Sequence, residues 1–458
     1  MSSFVKTVCP GLLVVLFVVC GLAAENDLPP LCARNEAAVQ QVASGERTTA
    51  SAAWWGFNAE DVTDTLQAAL DSKAKPLIVP YMGDAWVVRP LRLHGEQEII
   101  FEPGVLVMAK KGEFRGGGDS LMTAVDAENL VLRGYGAVLR MHKKDYQNSP
   151  YTPAEWRMGI ALRGCRNVTV EGLRIESSGG DGIYIDGGGA RAWCEGITVR
   201  NVTCFDNHRQ GISVVSAQDL LVEGCSLSGT GGTAPESGID FEPDTAKQRE
   251  ANCVVRNCLF ENNRGNATSV YLKPLTKESA DVSILFENCV MRMGKPGDSA
   301  EVVRSAELGG WGGMTVGTCR DDGPQGLVEF RNCISENTGR EGARIYDKSS
   351  EGVKVRFDHC SWKNAWLADP LDDNSPRSPI SITLRRPNLT TKMGGIEFID
   401  CHVYDTVDRP ALVVHMEKED HGVRDLSGTI WVHNPHGARA DFGTHAENIA
   451  PDLLRPVE

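Results

Sequence analysis

Net positive charge, long apolar runs and helical periodicity are all scarce in this 458-residue chain. Lysine and arginine number 47 against 61 aspartates and glutamates, a formal charge of −14, which argues against a nucleic-acid backbone as partner. The one strongly apolar stretch, residues 11–19, is shorter than the roughly 20 residues a bilayer span needs. Lys6 precedes it and Ala23-Ala24 follows it, the pattern of a secretory signal (1–24) cleaved near Ala24. Lipid attachment at Cys20 would want a small residue where Val19 stands. The expected protein is therefore secreted or periplasmic, without an integral membrane segment once the signal is removed. No linker separates a second domain, so the length calls for an elongated repeat rather than several cores.

What the chain does have is 48 glycines and 14 cysteines, on a background of 41% hydrophobic and 24% charged residues that excludes a disordered chain. The cysteines recur in one template: Leu221-Val-Glu-Gly-Cys225, Val254-Val-Arg-Asn-Cys258, Leu285-Phe-Glu-Asn-Cys289, Val328-Glu-Phe-Arg-Asn-Cys333, Val355-Arg-Phe-Asp-His-Cys360 and Ile396-Glu-Phe-Ile-Asp-Cys401. Val168-Thr-Val-Glu-Gly-Leu173 and Ile197-Thr-Val-Arg-Asn-Val202 repeat it with an apolar residue in place of Cys. Short alternating strands at a spacing of 23 to 44 residues predict an all-β, single-stranded right-handed parallel β-helix of about twelve coils. Six cysteines then form an inward column of buried thiols, since free Cys packs as a small hydrophobe. Cys165 and Cys194 each lie three residues before a strand on neighbouring coils, where they could pair as a disulfide. Cys32 and Cys319 fit neither pattern. The organisation reads as a lead-in over 25–54, the β-helix over 55–433 with an N-terminal capping helix over 58–71, and a polar tail over 434–458.

A second strand in each coil aligns on a preceding glycine: Met158-Gly-Ile-Ala-Leu-Arg163, Asp181-Gly-Ile-Tyr-Ile-Asp186, Gln210-Gly-Ile-Ser-Val-Val215 and Ser237-Gly-Ile-Asp-Phe-Glu242. Thr268-Ser-Val-Tyr-Leu-Lys273 is set beneath them without a glycine. With Ile160, Ile183, Ile212 and Ile239 inward, the outward columns gather Tyr184, Asp240 and Tyr271 in one and Asp186, Glu242 and Lys273 in the next.

These motifs resemble the pectin-lyase-like superfamily of right-handed parallel β-helix proteins, which act mostly on carbohydrates. Asp181-Gly-Ile-Tyr-Ile185 and His208-Arg-Gln-Gly-Ile-Ser-Val214 look like successive strands of polygalacturonase-type glycoside hydrolases, and are also similar to the Asp-Gly-Phe and His-Gly-Phe coils of mannuronan C5-epimerases. The polygalacturonase Arg-Ile-Lys strand, which holds a substrate carboxylate, aligns here with Asp240-Phe-Glu242. A basic clamp has become acidic and would repel a uronate unless a cation intervened.

The resemblance, taken with the clustered acids, implies a glycoside hydrolase acting on a polysaccharide or oligosaccharide, expected as a monomer. Paired carboxylates about 6.5 to 9.5 Å apart can act as general acid and base. Asp181 and Asp240 are the expected pair, with Glu242 next and His208 as a further catalytic candidate. Arg209, Tyr184, Tyr271, Lys273, Asp186, Trp156 and Arg157 are expected to bind substrate. No cofactor is required for that chemistry. The same acids, Asp181, Asp240, Glu242 and Asp244, would also suit Ca²⁺, giving a metal-assisted lyase or epimerase on a uronate polymer with Lys273 or Arg209 as base. A third reading is a carbohydrate-binding β-helix without catalysis.

Overall fold

Alternating burial on short strands leaves each strand one apolar face, and the chain satisfies all of them by winding. A computed structural model describes residues 32–305, 312–367, 377–385, 389–416 and 421–457. The expected signal segment, with Cys20, lies outside the described residues. The fold is the right-handed parallel β-helix that the repeat predicts. Among the described residues every ladder between strands is parallel, each strand bonding to its counterparts in the adjacent coils. Twelve strands stack into the sheet that carries the candidate site, from Leu91–Leu93 to Ala440–Asp441.

The Cys template is a strand, a one-residue bend and a second strand. The residue before each cysteine is left-handed: Gly224 at φ 63°, Asn257 at 55°, Asn288 at 54°, Asn332 at 52°, His359 at 52° and Asp400 at 49°. Glycine and short polar residues tolerate that region best, which is why Asn, Asp and Gly recur there. The bend turns the next side chain inward, and Cys225, Cys258, Cys289, Cys333, Cys360 and Cys401 form the expected buried thiol column. Each thiol donates to main-chain carbonyls, as Cys360 Sγ does to Phe330 O at 3.2 Å. Beside this column Phe286, Phe330, Phe357 and Phe398 stack face to face, with ring centroids 4.6, 5.4 and 5.4 Å apart.

The glycines before the site strands answer to close backbone approach. A Cβ on Gly182 would lie 2.6 Å from Gly211 O, and one on Gly211 2.5 Å from Gly238 O. Side chains at these positions would push neighbouring coils apart.

Three expectations are corrected. The capping helix spans Thr63–Asp71 rather than 58–71, because Asp61 Oδ1 takes the Thr63 amide at 3.0 Å while Asn58 caps only the Glu60 amide. Its buried face of Leu66, Ala69 and Leu70 is as expected. The lead-in over 25–54 carries elements of its own: Glu36–Ala43 is a helix capped by Asn35, and Ala50–Ser51 pairs with Leu77–Val79. The coil does not end at 433, since Ala446–Ile449 and Leu454–Pro456 both pair with Val423–His433. Cys165 and Cys194 adjoin as expected, but as free thiols, the Cys165 amide donating to Cys194 Sγ at 3.3 Å. Among the described residues no helix is long and apolar enough to cross a membrane.

Candidate active site

A carboxylate that leaves water needs hydrogen bonds or a counter-charge, and otherwise keeps its proton. Three coils meet this condition together, at Ile183–Asp186, Ile212–Val214 and Ile239–Phe241.

Asp181, just before the first of these strands, is fully buried, and its Oδ1 accepts the Gln210 amide at 3.1 Å. Burial raises its pKa to about 7, against the opposing pull of Arg209, the Ser213 hydroxyl and the Gln210 amide. Asp240 is 2% exposed, and its Oδ2 accepts Gln210 Nε2 at 2.9 Å. Gln210 Oε1 in turn accepts the Ser237 amide at 2.8 Å, which fixes the side chain with its NH₂ toward Asp240. Burial first, and then the charge of Glu242, lift Asp240 well above the carboxylate range. Burial thus favours the protonated form of Asp240.

Glu242, two residues on, is the accessible member of the group and accepts Arg209 Nη2 at 2.8 Å. Arg209 feels the charges of Asp181, Glu242 and Asp240 together. One guanidinium cannot neutralise three carboxylates, so a protonated acid beside a salt-bridged carboxylate is the low-energy arrangement.

The remaining expected residues divide sharply. Tyr184 is half-buried, its Oη donating to Asp186 Oδ2 at 2.9 Å, with Arg163 over its ring. Asp186 is fully engaged by Tyr184, the Gly187 amide and Gln248, so its role is to hold the strand end. His208 is buried at the coil corner against Thr233 and Gln147, and burial, followed by the nearby charge of Lys143, depresses its pKa. Its side-chain hydrogen bonds lie on that corner. Arg157 is a correction: it is fully buried, donating to the carbonyls of Phe114 and Thr152 and lying over the Tyr146 ring, where it pins a loop instead of meeting substrate. Trp156 beside it is exposed.

The register also corrects Tyr271 and Lys273. Asp240 pairs with Ser269 and Phe241 with Val270, two residues away from the glycine-based alignment. Tyr271 therefore follows Glu242 in its column, and Lys273 lies beyond the strand. Asp244 is exposed past the strand end. Among the described residues no three His, Cys, Asp or Glu side chains converge as metal ligands. Where Ca²⁺ was expected to be held, Arg209 stands among the same acids.

Gln210, Ser213 and Glu250 are the site residues that sequence reasoning missed. Gln210 ties the two aspartates together, its amide on Asp181 and its side chain on Asp240. Glu250 is wholly buried at the start of Glu250–Arg256, in the column of Cys194 and Ala217, with its pKa well raised by burial and then by Asp240. A charged residue in an apolar column was the available signal.

A family described as "Right handed beta helix region" matches residues 152–292, the coils that hold these acids. The uncharacterized protein YclG of Bacillus subtilis is 30% identical over 149 residues, 30% of this chain and 26% of YclG. The chain spans about a third or less of the curated relatives it matches. A family 28 exopolygalacturonase of Yersinia enterocolitica superimposes with TM-score 0.56 at 12% identity, over 90% of this chain and 79% of that one. The A-module of the Azotobacter vinelandii mannuronan C-5 epimerase AlgE6 gives 0.54 at 12% identity, over 89% and 100%. The chain thus shares the right-handed parallel β-helix fold of these proteins.

Proposed function

We propose that the protein is a secreted carbohydrate-active enzyme that hydrolyses a polysaccharide in the groove above Ile239–Phe241. Asp240 is the proton donor to the leaving oxygen, and Glu242, oriented by Arg209, is the carboxylate that serves as base or nucleophile. Asp181 positions Gln210 from beneath and does not itself touch the sugar. The observation that carries this reading is a buried acid held by Gln210, Asp240, beside an accessible carboxylate paired with Arg209, Glu242, two residues apart in sequence. Acid/base catalysis uses carboxyl groups whose environments push their pKa values apart. The same fold in a family 28 exopolygalacturonase supports it.

An elimination or epimerisation through Ca²⁺ would have to seat the dication where Arg209 already lies, which favours hydrolysis. The test is a screen of neutral and uronate-rich polysaccharides with and without EDTA. New reducing ends, unaffected by the chelator and without the absorbance of an unsaturated sugar, are expected. Chelator-sensitive turnover giving an unsaturated product would replace hydrolysis with elimination, and the absence of turnover on every glycan would leave a binding protein.

A further inference from the structure

Three strands beyond Asp240 the groove changes character. Asp240 pairs with Ser269, Ser269 with Thr315 and Thr315 with Arg344, so Arg344 stands in the same outward column about 14 Å away at ~4.8 Å per strand. Tyr346, on the same strand, lies flat over Gly317. A Cβ there would come within 2.0 Å of the Tyr346 Cζ, so the glycine makes room for the ring. Two guanidiniums flank that ring, Arg344 with Cζ 5.2 Å and Arg385 with Cζ 5.0 Å from its centroid.

Neither arginine has an ion pair among the described residues, and Arg344 Nε is buried without a hydrogen-bond partner. Other arginines of these coils are matched, Arg163 to Asp186, Arg209 to Glu242 and Arg356 to Glu397. In a chain of charge −14, two half-buried cations left unmatched beside an aromatic face are conspicuous. An unpaired buried donor costs stability, and a planar guanidinium fork is shaped to take an oxyanion.

We propose that Arg344, Tyr346 and Arg385 form a subsite for an anionic sugar residue, bearing a carboxylate or a sulfate ester, of a chain cleaved three strands away at Asp240. Tyr346 offers the apolar face for the ring, and the arginines take the anion. The sugar at the cleavage point sits among acids and carries no charge directed at them. The substrate class is therefore an acidic heteropolysaccharide whose anionic unit is displaced from the scissile bond. This inference rests on the hydrolase reading above.

The test is calorimetric binding of oligouronates, sulfated oligosaccharides and neutral oligosaccharides of matched length to the Asp240→Asn protein, and to that protein carrying Arg344→Gln or Arg385→Gln. Thermal melting checks that each variant is folded. Acidic chains are expected to bind about tenfold or more tighter than neutral ones, and each arginine variant to remove most of that preference. Whichever acidic series binds tighter names the anion. Neutral chains bound or cleaved with no acidic preference, or a preference unchanged by both variants, would overturn the subsite and leave the hydrolase reading standing. Failure of every glycan to bind or turn over would overturn both.

Discussion

Asp181 carries the clearest consequence at the scale of single residues. Its folded pKa of about 7 lies above the ordinary 3.8, so between those values the folded chain binds a proton that the unfolded chain has released. The stabilising contribution is complete below the ordinary value and is lost as pH rises through about 7, at up to about 1.4 kcal/mol per pH unit. The melting temperature is expected to fall between pH 5 and pH 8, and Asp181→Asn to flatten that fall. An identical pH dependence in the variant would refute the assignment. Asp181, Asp240 and Glu242 were legible because acids on neighbouring coils are unusual in outward columns. Their division of labour was not, since burial and the Gln210 bridge arise only once the coils stack. Arg157 shows the same limit: a flanking arginine looks like a ligand clamp until the loop closes over it.

Among the elements, the bend before each cysteine is the device that repeats. Asn332 sits at φ 52°, where a Cβ without a compensating polar group is strained. Asn332→Ala is expected to cost about 1 kcal/mol, and Asn332→Gly far less, in denaturant titrations. Equal losses in both would show that the side chain's contacts, not the bend, matter. Strand positions were readable from the Gly and Asn punctuation, and where punctuation fails the register is lost. Thr268 takes the inward place opposite Ile239 without a preceding glycine, and a slip of two residues keeps the inward and outward pattern intact. Alternation alone cannot detect that slip. The helix start moved for a local reason of the same kind, Asp61 outcompeting Asn58 as the residue that opens the turn.

For the molecule as a whole, stability is carried by columns that run along the axis. The thiol column and the Phe286, Phe330, Phe357, Phe398 stack are long-range order built from single positions of a repeat. Phe330 touches rings on both sides, so Phe330→Ala is expected to cost about 3 to 5 kcal/mol, read from the denaturation midpoint. A loss under about 1 kcal/mol would mean that neighbouring coils close the gap. The twelve cysteines of residues 32–457 are buried and free, and maleimide labelling followed by peptide mapping should modify them only after denaturation. Rapid native labelling of the column would contradict its packing. The fold was largely legible from the repeat because every coil restates it. The groove's polarity, acidic at Asp240 and basic at Arg344, was not, because it depends on which coils stand three apart. The central claim, that Asp240 is the proton donor of a hydrolase, is met most directly by steady-state kinetics of Asp240→Asn on the glycan the wild type cleaves. A fall in kcat of about 10² to 10⁴, with the melting temperature preserved, is expected; turnover within about threefold of wild type would contradict the account.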